Sequence, residues 1–140
     1  MNRLKMVLTE AEKTDRPFVV AVDFDGTITN EAEFKEDMEL SLRDHASEVL
    51  LWMLNEGIYL ILWTCRAGKV LKQATDFLDD NTIGFKSVNE NYEGMPFKTS
   101  NKIFADIYID DRNLMYGEMI DWLKIKEHVN NAFQEWKKTR

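Results

Sequence analysis

The chain contains very little cysteine, little proline and no long apolar segment. Of its 140 residues, one is a cysteine, Cys65, and two are prolines. A single cysteine excludes an internal disulfide and a cysteine-rich zinc site. No stretch reaches the ~18 apolar residues of a membrane span, and the first residues lack the apolar core of a signal peptide. The sequence therefore predicts a cytoplasmic protein without a membrane partner.

Positive charge is also in short supply. The 18 Lys and Arg residues are outnumbered by 25 Asp and Glu residues, which gives a formal net charge of −7. So acidic a chain has no general affinity for nucleic acid or for an anionic membrane surface. Apolar residues make up 44 % of the sequence, as in ordinary soluble domains. Size and composition together predict a single domain over residues 1–140.

Apolar runs alternate along the chain with apolar residues at helical spacing. This alternation is typical of an α/β fold, and it predicts a three-layer, Rossmann-like parallel sheet with helices on both faces. Residues 28–40 are polar and weakly periodic, so they are predicted to form a loop, here called the flap. The predicted strands cover residues 18–24, 58–64, 84–88 and 105–110, and the predicted helices cover residues 1–16, 42–54, 70–78 and 119–136.

Three of the predicted strands become polar at their carboxyl ends. In a strand, side chains at i and i+2 share a face, so Asp23 and Asp25 should lie close together. Parallel strands bring their carboxyl ends to one edge of the sheet, where ligand sites of α/β folds lie. Carboxylates gathered there repel one another unless a cation lies between them, and magnesium prefers oxygen ligands. The three polar ends are Asp23-Phe24-Asp25-Gly26-Thr27, Thr64-Cys65-Arg66 and Asp110-Asp111-Arg112-Asn113.

These residue types suit phosphoryl transfer. One carboxylate can attack phosphorus and form an aspartyl-phosphate, while a second moves the protons. A divalent cation shields the like charges. A hydroxyl and an ammonium group can hold the remaining phosphate oxygens.

Four segments resemble the signature motifs of the haloacid dehalogenase (HAD) superfamily of aspartate-nucleophile phosphatases. "DFDGT" resembles the first motif, "LILWT" the second and "IYIDD" the acidic fourth, while Lys102 fits the third. Their order along residues 19 to 111 is also that of the superfamily. The longer phrases "LILWTCRAG" and "ADIYIDDRN" are similar to small bacterial and phage members.

The resemblance implies a role for each matching residue. Asp23 would be the nucleophile and Asp25 the general acid/base. Magnesium would be held by Asp23, the backbone carbonyl of Asp25, and Asp110, with Asp111 assisting. Candidate substrate and phosphate ligands are Gly26, Thr27, Thr64, Cys65, Arg66 and Lys102.

Several of these assignments have simpler alternatives. Arg66 is equally well read as a surface arginine, and Lys98 is a rival to Lys102. Cys65 has no evident histidine partner, so it is predicted to be a partly buried neighbour of the site rather than a nucleophile. His45 and His128 are predicted to be structural.

The gaps between the motifs leave no room for a separate cap domain. The site must then be covered by the flap, by a second subunit of a homo-oligomer, or by a large substrate. The flap is rich in acidic residues and would repel an anionic polymer, which favours a small phosphomonoester. The sequence leaves three alternative functions. One is a receiver domain, although the acidic residues of such domains come in a different order. The others are a phosphatase of nucleic-acid ends or another macromolecule, and a non-catalytic phospho-ligand-binding module.

Overall fold

A computed structural model describes residues 16–113 and 120–139. Within these ranges, strands and helices alternate much as the sequence predicts. The predicted helix over residues 1–16 lies almost wholly outside the described residues. The elements are β1 (Val19–Val22), α1 (Ala46–Asn55), β2 (Tyr59–Leu62), α2 (Gly68–Asp80), β3 (Ser87–Val88), β4 (Ile107–Ile109) and α3 (Trp122–Lys137).

The four strands form one parallel sheet in the order β3-β2-β1-β4. The predicted α/β fold with a parallel Rossmann-like sheet is therefore confirmed. From β1 the chain moves outward through β2 to β3, and it then returns to place β4 on the other side of β1. The direction of strand order thus reverses between β1 and β4, which is where α/β folds form their ligand crevices.

The two faces of the sheet are covered differently in the described part of the chain. On one face, Val20, Val22 and Leu60 belong to a large apolar core to which all three described helices contribute. On the other face, Val19, Ala21 and Ile61 pack against Tyr92, Ile103 and Ala105. The last three lie in the segment 89–105, which contains neither helix nor strand. In the described part of the chain this irregular segment therefore covers the second face, where the sequence predicts helices.

The element boundaries differ from the predicted ones by a few residues, and the difference is largest at the start of the second predicted helix. Leu42, predicted to start the second helix, instead forms an antiparallel bridge with Thr29, and α1 begins only after His45, whose φ is 66°. The bridge closes the base of the flap. The flap itself is a loop, as predicted, and its exposed part begins at Asn30 because Ile28 and Thr29 are fully buried. No helix among the described residues is long and apolar enough to cross a membrane.

Candidate active site

Two acidic residues leave neighbouring strands at the point where the strand order reverses. Asp23 follows β1, and its N–H donates to the carbonyl oxygen of Ile109 at 2.9 Å, which extends the ladder between β1 and β4 by one residue. Asp110 directly follows β4. The pairing of β1 with β4 therefore fixes the separation of these two carboxylates.

Asp23, Asp110 and Asp111 form a carboxylate cluster. One carboxylate oxygen from each lies within 4.8 Å of the other two, and all three residues are half-buried. Partly buried oxygen donors converging at this spacing are the ligand set that suits Mg²⁺. These residues, all predicted as metal ligands, are brought together by the structure. The predicted role of the Asp25 carbonyl stays a prediction.

The surroundings of the cluster favour the protonated forms of Asp23 and Asp110, so the pKa of each is raised. Burial, and next the charge of Asp110, raise the pKa of Asp23 to about 8, although a hydrogen bond from Thr27 acts in the opposite direction. Burial and the neighbouring Asp111 likewise raise the pKa of Asp110, against a backbone hydrogen bond from Arg112 and the charge of that residue. Either a proton or a cation must therefore compensate the cluster near neutral pH.

The loop after β1 makes hydrogen bonds to two residues of the cluster, Asp23 and Asp111. The Thr27 hydroxyl donates to Asp23 Oδ2 at 2.9 Å and accepts from the Asp111 N–H at 2.9 Å. Gly26 has φ +77°, and a Cβ at this position would lie 2.5 Å from Asp111 Oδ2. Glycine suits this position, because φ lies in the left-handed region and an added Cβ would displace the Asp111 carboxylate. Gly26 and Thr27 thus support the carboxylates directly.

Two distant side chains fix the carbonyl groups of the same loop. Arg43 Nε donates to the carbonyl oxygen of Gly26 at 2.9 Å. The indole N–H of Trp122, at the start of α3, donates to the carbonyl oxygen of Thr27 at 2.9 Å. Neither residue is singled out by the sequence, since each acts across a long stretch of chain.

Arg66 is neither a surface residue nor free to bind a substrate, which corrects both sequence-based readings. Its side chain is fully buried and forms an ion pair with Asp25, whose side chain is 11 % exposed. Nε lies 3.2 and 3.0 Å from the two carboxylate oxygens, and Nη2 lies 2.8 Å from Oδ1. This two-point contact fixes the plane of the carboxylate as well as its position.

The described hydrogen bonds of Thr64 stabilise the loop after β2. Its Oγ1 accepts from the Arg66 N–H at 3.1 Å. The side chain of Asn89 accepts from the Thr64 N–H at 2.8 Å and donates to the Thr64 carbonyl oxygen at 3.0 Å. Asn89, which has φ 56°, thereby ties the loop after β2 to the end of β3.

The structure does not bring either candidate lysine to the cluster. Lys102 is exposed, and its ammonium lies 5.3 Å from the centre of the Tyr108 ring. Lys98 is exposed as well. Cys65, expected to be partly buried, is exposed because the loop after β2 turns it toward solvent.

A cavity of about 370 Å³ lies over the cluster. Asp23, Asp25, Asp110 and Asp111 line its floor, and the exposed Cys65 also contributes. The flap, one of the predicted covers, supplies Ala32, Glu33 and Phe34 to the lining, and the exposed Arg112 also contributes. None of these four residues was predicted individually as a site residue, although Glu33 is one of the acidic flap residues expected to repel an anionic polymer. An aromatic residue within an acidic flap was the one signal in the sequence that could have indicated Phe34.

The fold and site define a small α/β protein with a Rossmann-like parallel sheet and a carboxylate cluster at its carboxyl edge. A conserved protein from Bacteroides thetaiotaomicron has a similar solved structure, with 32 % sequence identity and a TM-score of 0.69. The match covers 83 % of this chain and 92 % of the other. The chain belongs to the same family as that Bacteroides protein. No family model and no curated protein matches the sequence.

Proposed function

We propose that the protein is a magnesium-dependent phosphatase that acts on a small phosphomonoester through an aspartyl-phosphate, as its HAD-like motifs suggest. The observation that carries the proposal is the meeting of Asp23, Asp110 and Asp111 within 4.8 Å beneath a cavity that also contains Asp25. Bringing carboxylates this close together costs electrostatic free energy, because like charges repel. A phosphatase needs such an arrangement, since its nucleophile and its cation site must lie at one place.

Asp23 is the proposed nucleophile. Its carboxylate attacks phosphorus, the bond from phosphorus to the ester oxygen breaks, and the phosphoryl group is carried on Asp23 until water releases it. Asp23 lines the cavity and is held by the Thr27 hydroxyl, which leaves its other oxygen, Oδ1, free of that bond. Magnesium bound by the cluster would shield the negative charges of carboxylate and phosphate from each other.

Asp25 is the proposed acid/base. In the first half of the reaction it gives a proton to the departing ester oxygen, and in the second half it takes a proton from the attacking water. Both transfers require the carboxyl group to stay at a constant position relative to Asp23. The buried guanidinium of Arg66, 2.8 Å from Asp25 Oδ1, supports that requirement.

The proposed substrate is small because the cavity is small and its lining is acidic. A volume of about 370 Å³ accommodates a compact ester, and Glu33 in the lining repels an extended polyanion. Phe34 offers an apolar wall to the leaving group, and Arg112 is the one cationic side chain among the described residues that line the cavity. Because the flap already reaches over the cluster, we infer that it serves as the cover in place of a second subunit.

The proposal is tested by hydrolysis of p-nitrophenyl phosphate with magnesium and with a chelator in its place. Turnover should require magnesium and should be abolished in Asp23→Asn, since an amide cannot replace the nucleophile. Asp79→Asn, an exposed aspartate on α2, is the matched control and should behave as wild type. Turnover in Asp23→Asn at near the wild-type rate would contradict the proposal.

A further inference from the structure

The guanidinium of Arg66 contacts two aromatic rings, one from the core and one from the flap. Its central carbon lies 5.0 Å from the ring centre of Phe24 and 4.9 Å from that of Phe34. Phe24 belongs to the buried core beside Asp23 and does not depend on the flap. Phe34 belongs to the flap and is 40 % exposed. One of the two aromatic contacts of this buried cation therefore depends on the position of the flap.

Arg66 is also connected to the flap through Gln73, which lies on α2. Arg66 Nη1 donates to the Val70 carbonyl oxygen at 2.7 Å and to Gln73 Oε1 at 2.9 Å. Gln73 Nε2 in turn donates to the carbonyl oxygen of Met38 at 2.9 Å. The orientation of the amide is unambiguous, because a guanidinium only donates and a carbonyl only accepts.

The flap has few other polar attachments in the part of the chain that the structure describes. Its base is closed by the Thr29–Leu42 bridge and by Glu31, which binds Ser41. Between residues 32 and 40, the described hydrogen bond to the rest of the domain is the one from Gln73 to Met38. The flap is therefore connected to Arg66 at two points, directly through Phe34 and indirectly through Met38 and Gln73.

We propose that Arg66 couples the flap to Asp25, with Phe34 and Gln73 as positioning residues, so that the carboxyl group of Asp25 is aligned for proton transfer only while the flap covers the cavity. The inference rests on the proposed function for its chemistry, but the coupling itself is a property of the fold. A buried cation is held in one orientation by the groups that enclose it. When the flap moves away, Arg66 loses its aromatic contact with Phe34, and Gln73 loses the hydrogen bond to Met38 that orients it. Asp25, which Arg66 holds at two points, then loses its alignment.

The coupling is tested first by how the loss of activity depends on the leaving group. Phenyl phosphate has a poorer leaving group than p-nitrophenyl phosphate, so its cleavage relies more on a proton from Asp25. Gln73→Met and Phe34→Leu should each lower kcat/KM for phenyl phosphate by about ten-fold and for p-nitrophenyl phosphate by less than about three-fold. Gln73→Glu keeps the acceptor for Arg66 but loses the donor to Met38, so it should show the same bias if the flap contact is what matters. Gln134→Met, the same change at an exposed position of α3, is the control and should leave both values unchanged.

A double-mutant comparison shows whether these residues act through Asp25. In an Asp25→Asn background, Gln73→Met should change kcat/KM for phenyl phosphate by less than about two-fold, because the group that it positions is already gone. Equal losses on the two esters, or a full ten-fold loss in that background, would overturn the proposal.

A measurement without turnover separates this inference from the proposed function. Exchange of the Arg66 Nε–H with solvent, followed by NMR, should be slow in wild type and at least about ten-fold faster in Gln73→Met and Phe34→Leu, since opening of the flap exposes it. Unchanged exchange in both variants overturns the coupling. If no ester is hydrolysed by any of the proteins, the proposed function fails, and the exchange rates alone decide the coupling.

Discussion

Trp122 hydrogen-bonds to Thr27 across 95 residues of chain: its indole N–H donates to the carbonyl oxygen of Thr27 at 2.9 Å, in a fully buried position. Thr27 in turn supports Asp23 and Asp111 with its hydroxyl. The start of α3 therefore bears on the geometry of the carboxylate cluster through a single hydrogen bond.

Replacement of Trp122 by phenylalanine should weaken both the fold and the metal site. The change leaves the buried Thr27 carbonyl oxygen without its donor, which costs about 1–3 kcal/mol of unfolding free energy. Urea denaturation with and without magnesium measures both effects, because a loosened loop also reduces the stabilisation by magnesium. Trp52→Phe is the matched control, since Trp52 is a half-buried tryptophan that stacks with Lys126 on another part of the surface. Equal losses in the two variants, with the same response to magnesium, would show that the Thr27 contact has no special role.

The raised pKa of Asp23 predicts how stability without metal varies with pH. In the folded protein the pKa is about 8, against an ordinary value of 3.8. Between about pH 4 and pH 8 the folded state therefore binds more protons than the unfolded state, and its stability must fall as the pH rises. Asp23→Asn removes this dependence. The difference in unfolding free energy between wild type and Asp23→Asn should shift in favour of the variant by at most about 1.4 kcal/mol per pH unit across that window.

The comparison uses chelator-treated proteins, with urea unfolding at several pH values and thermal unfolding at pH 8. At pH 8 the melting temperature of Asp23→Asn should exceed that of wild type by roughly 3 °C or more. A constant difference between the two proteins from pH 4 to pH 8 would mean that Asp23 does not keep its proton in the folded state.

The stabilisation that magnesium provides should depend on pH in the opposite direction to the stability of the metal-free protein. Binding to the folded state raises the melting temperature by mass action, and it requires the carboxylates to be ionised. The stabilisation by magnesium should therefore increase from pH 6 to pH 8 and release a proton. Asp110→Ala should remove most of it, whereas Asp79→Ala on α2 should not. If millimolar magnesium leaves the melting temperature at pH 8 unchanged, the carboxylate cluster is not a magnesium site.

Lys102 should matter more than Lys98 for phosphate binding, although neither contacts the cluster. The ammonium of Lys102 lies over Tyr108, which is two residues before Asp110 on the same side of the strand. Two residues of strand span about 6–7 Å, a distance that a lysine side chain can cover by changing rotamer. Lys102→Met should lower kcat/KM more than about ten-fold, and Lys98→Met less. A larger loss in Lys98→Met would reverse the assignment.

The sequence predicted the carboxylate cluster because local patterns control it. The apolar runs before Asp23 and Asp110 mark two buried strands, and the parallel pairing of such strands brings the residues after them together. The loop character of the flap was readable from its polar composition for the same reason.

The partners of Arg66 could not be predicted, because they are set by packing between segments far apart in sequence. Asp25 lies 41 residues away, and the flap reaches Arg66 through Phe34 and Gln73. No local pattern distinguishes a buried arginine from an exposed one when the enclosing groups come from three different elements. The covering of the second face of the sheet by residues 89–105 was missed similarly, since an irregular segment has no periodicity to reveal its buried side.

The most direct test of the central claim is chemical trapping of the phosphorylated protein. Wild type is mixed with p-nitrophenyl phosphate and magnesium, quenched during turnover and treated with borohydride, which reduces an acyl phosphate to an alcohol and would convert Asp23 into homoserine. We expect peptide mass spectrometry to find homoserine at position 23, and to find none when magnesium is replaced by a chelator. Magnesium-dependent turnover with an unmodified Asp23 under the same quench, together with an Asp23→Asn variant that retains near wild-type activity, would contradict the account.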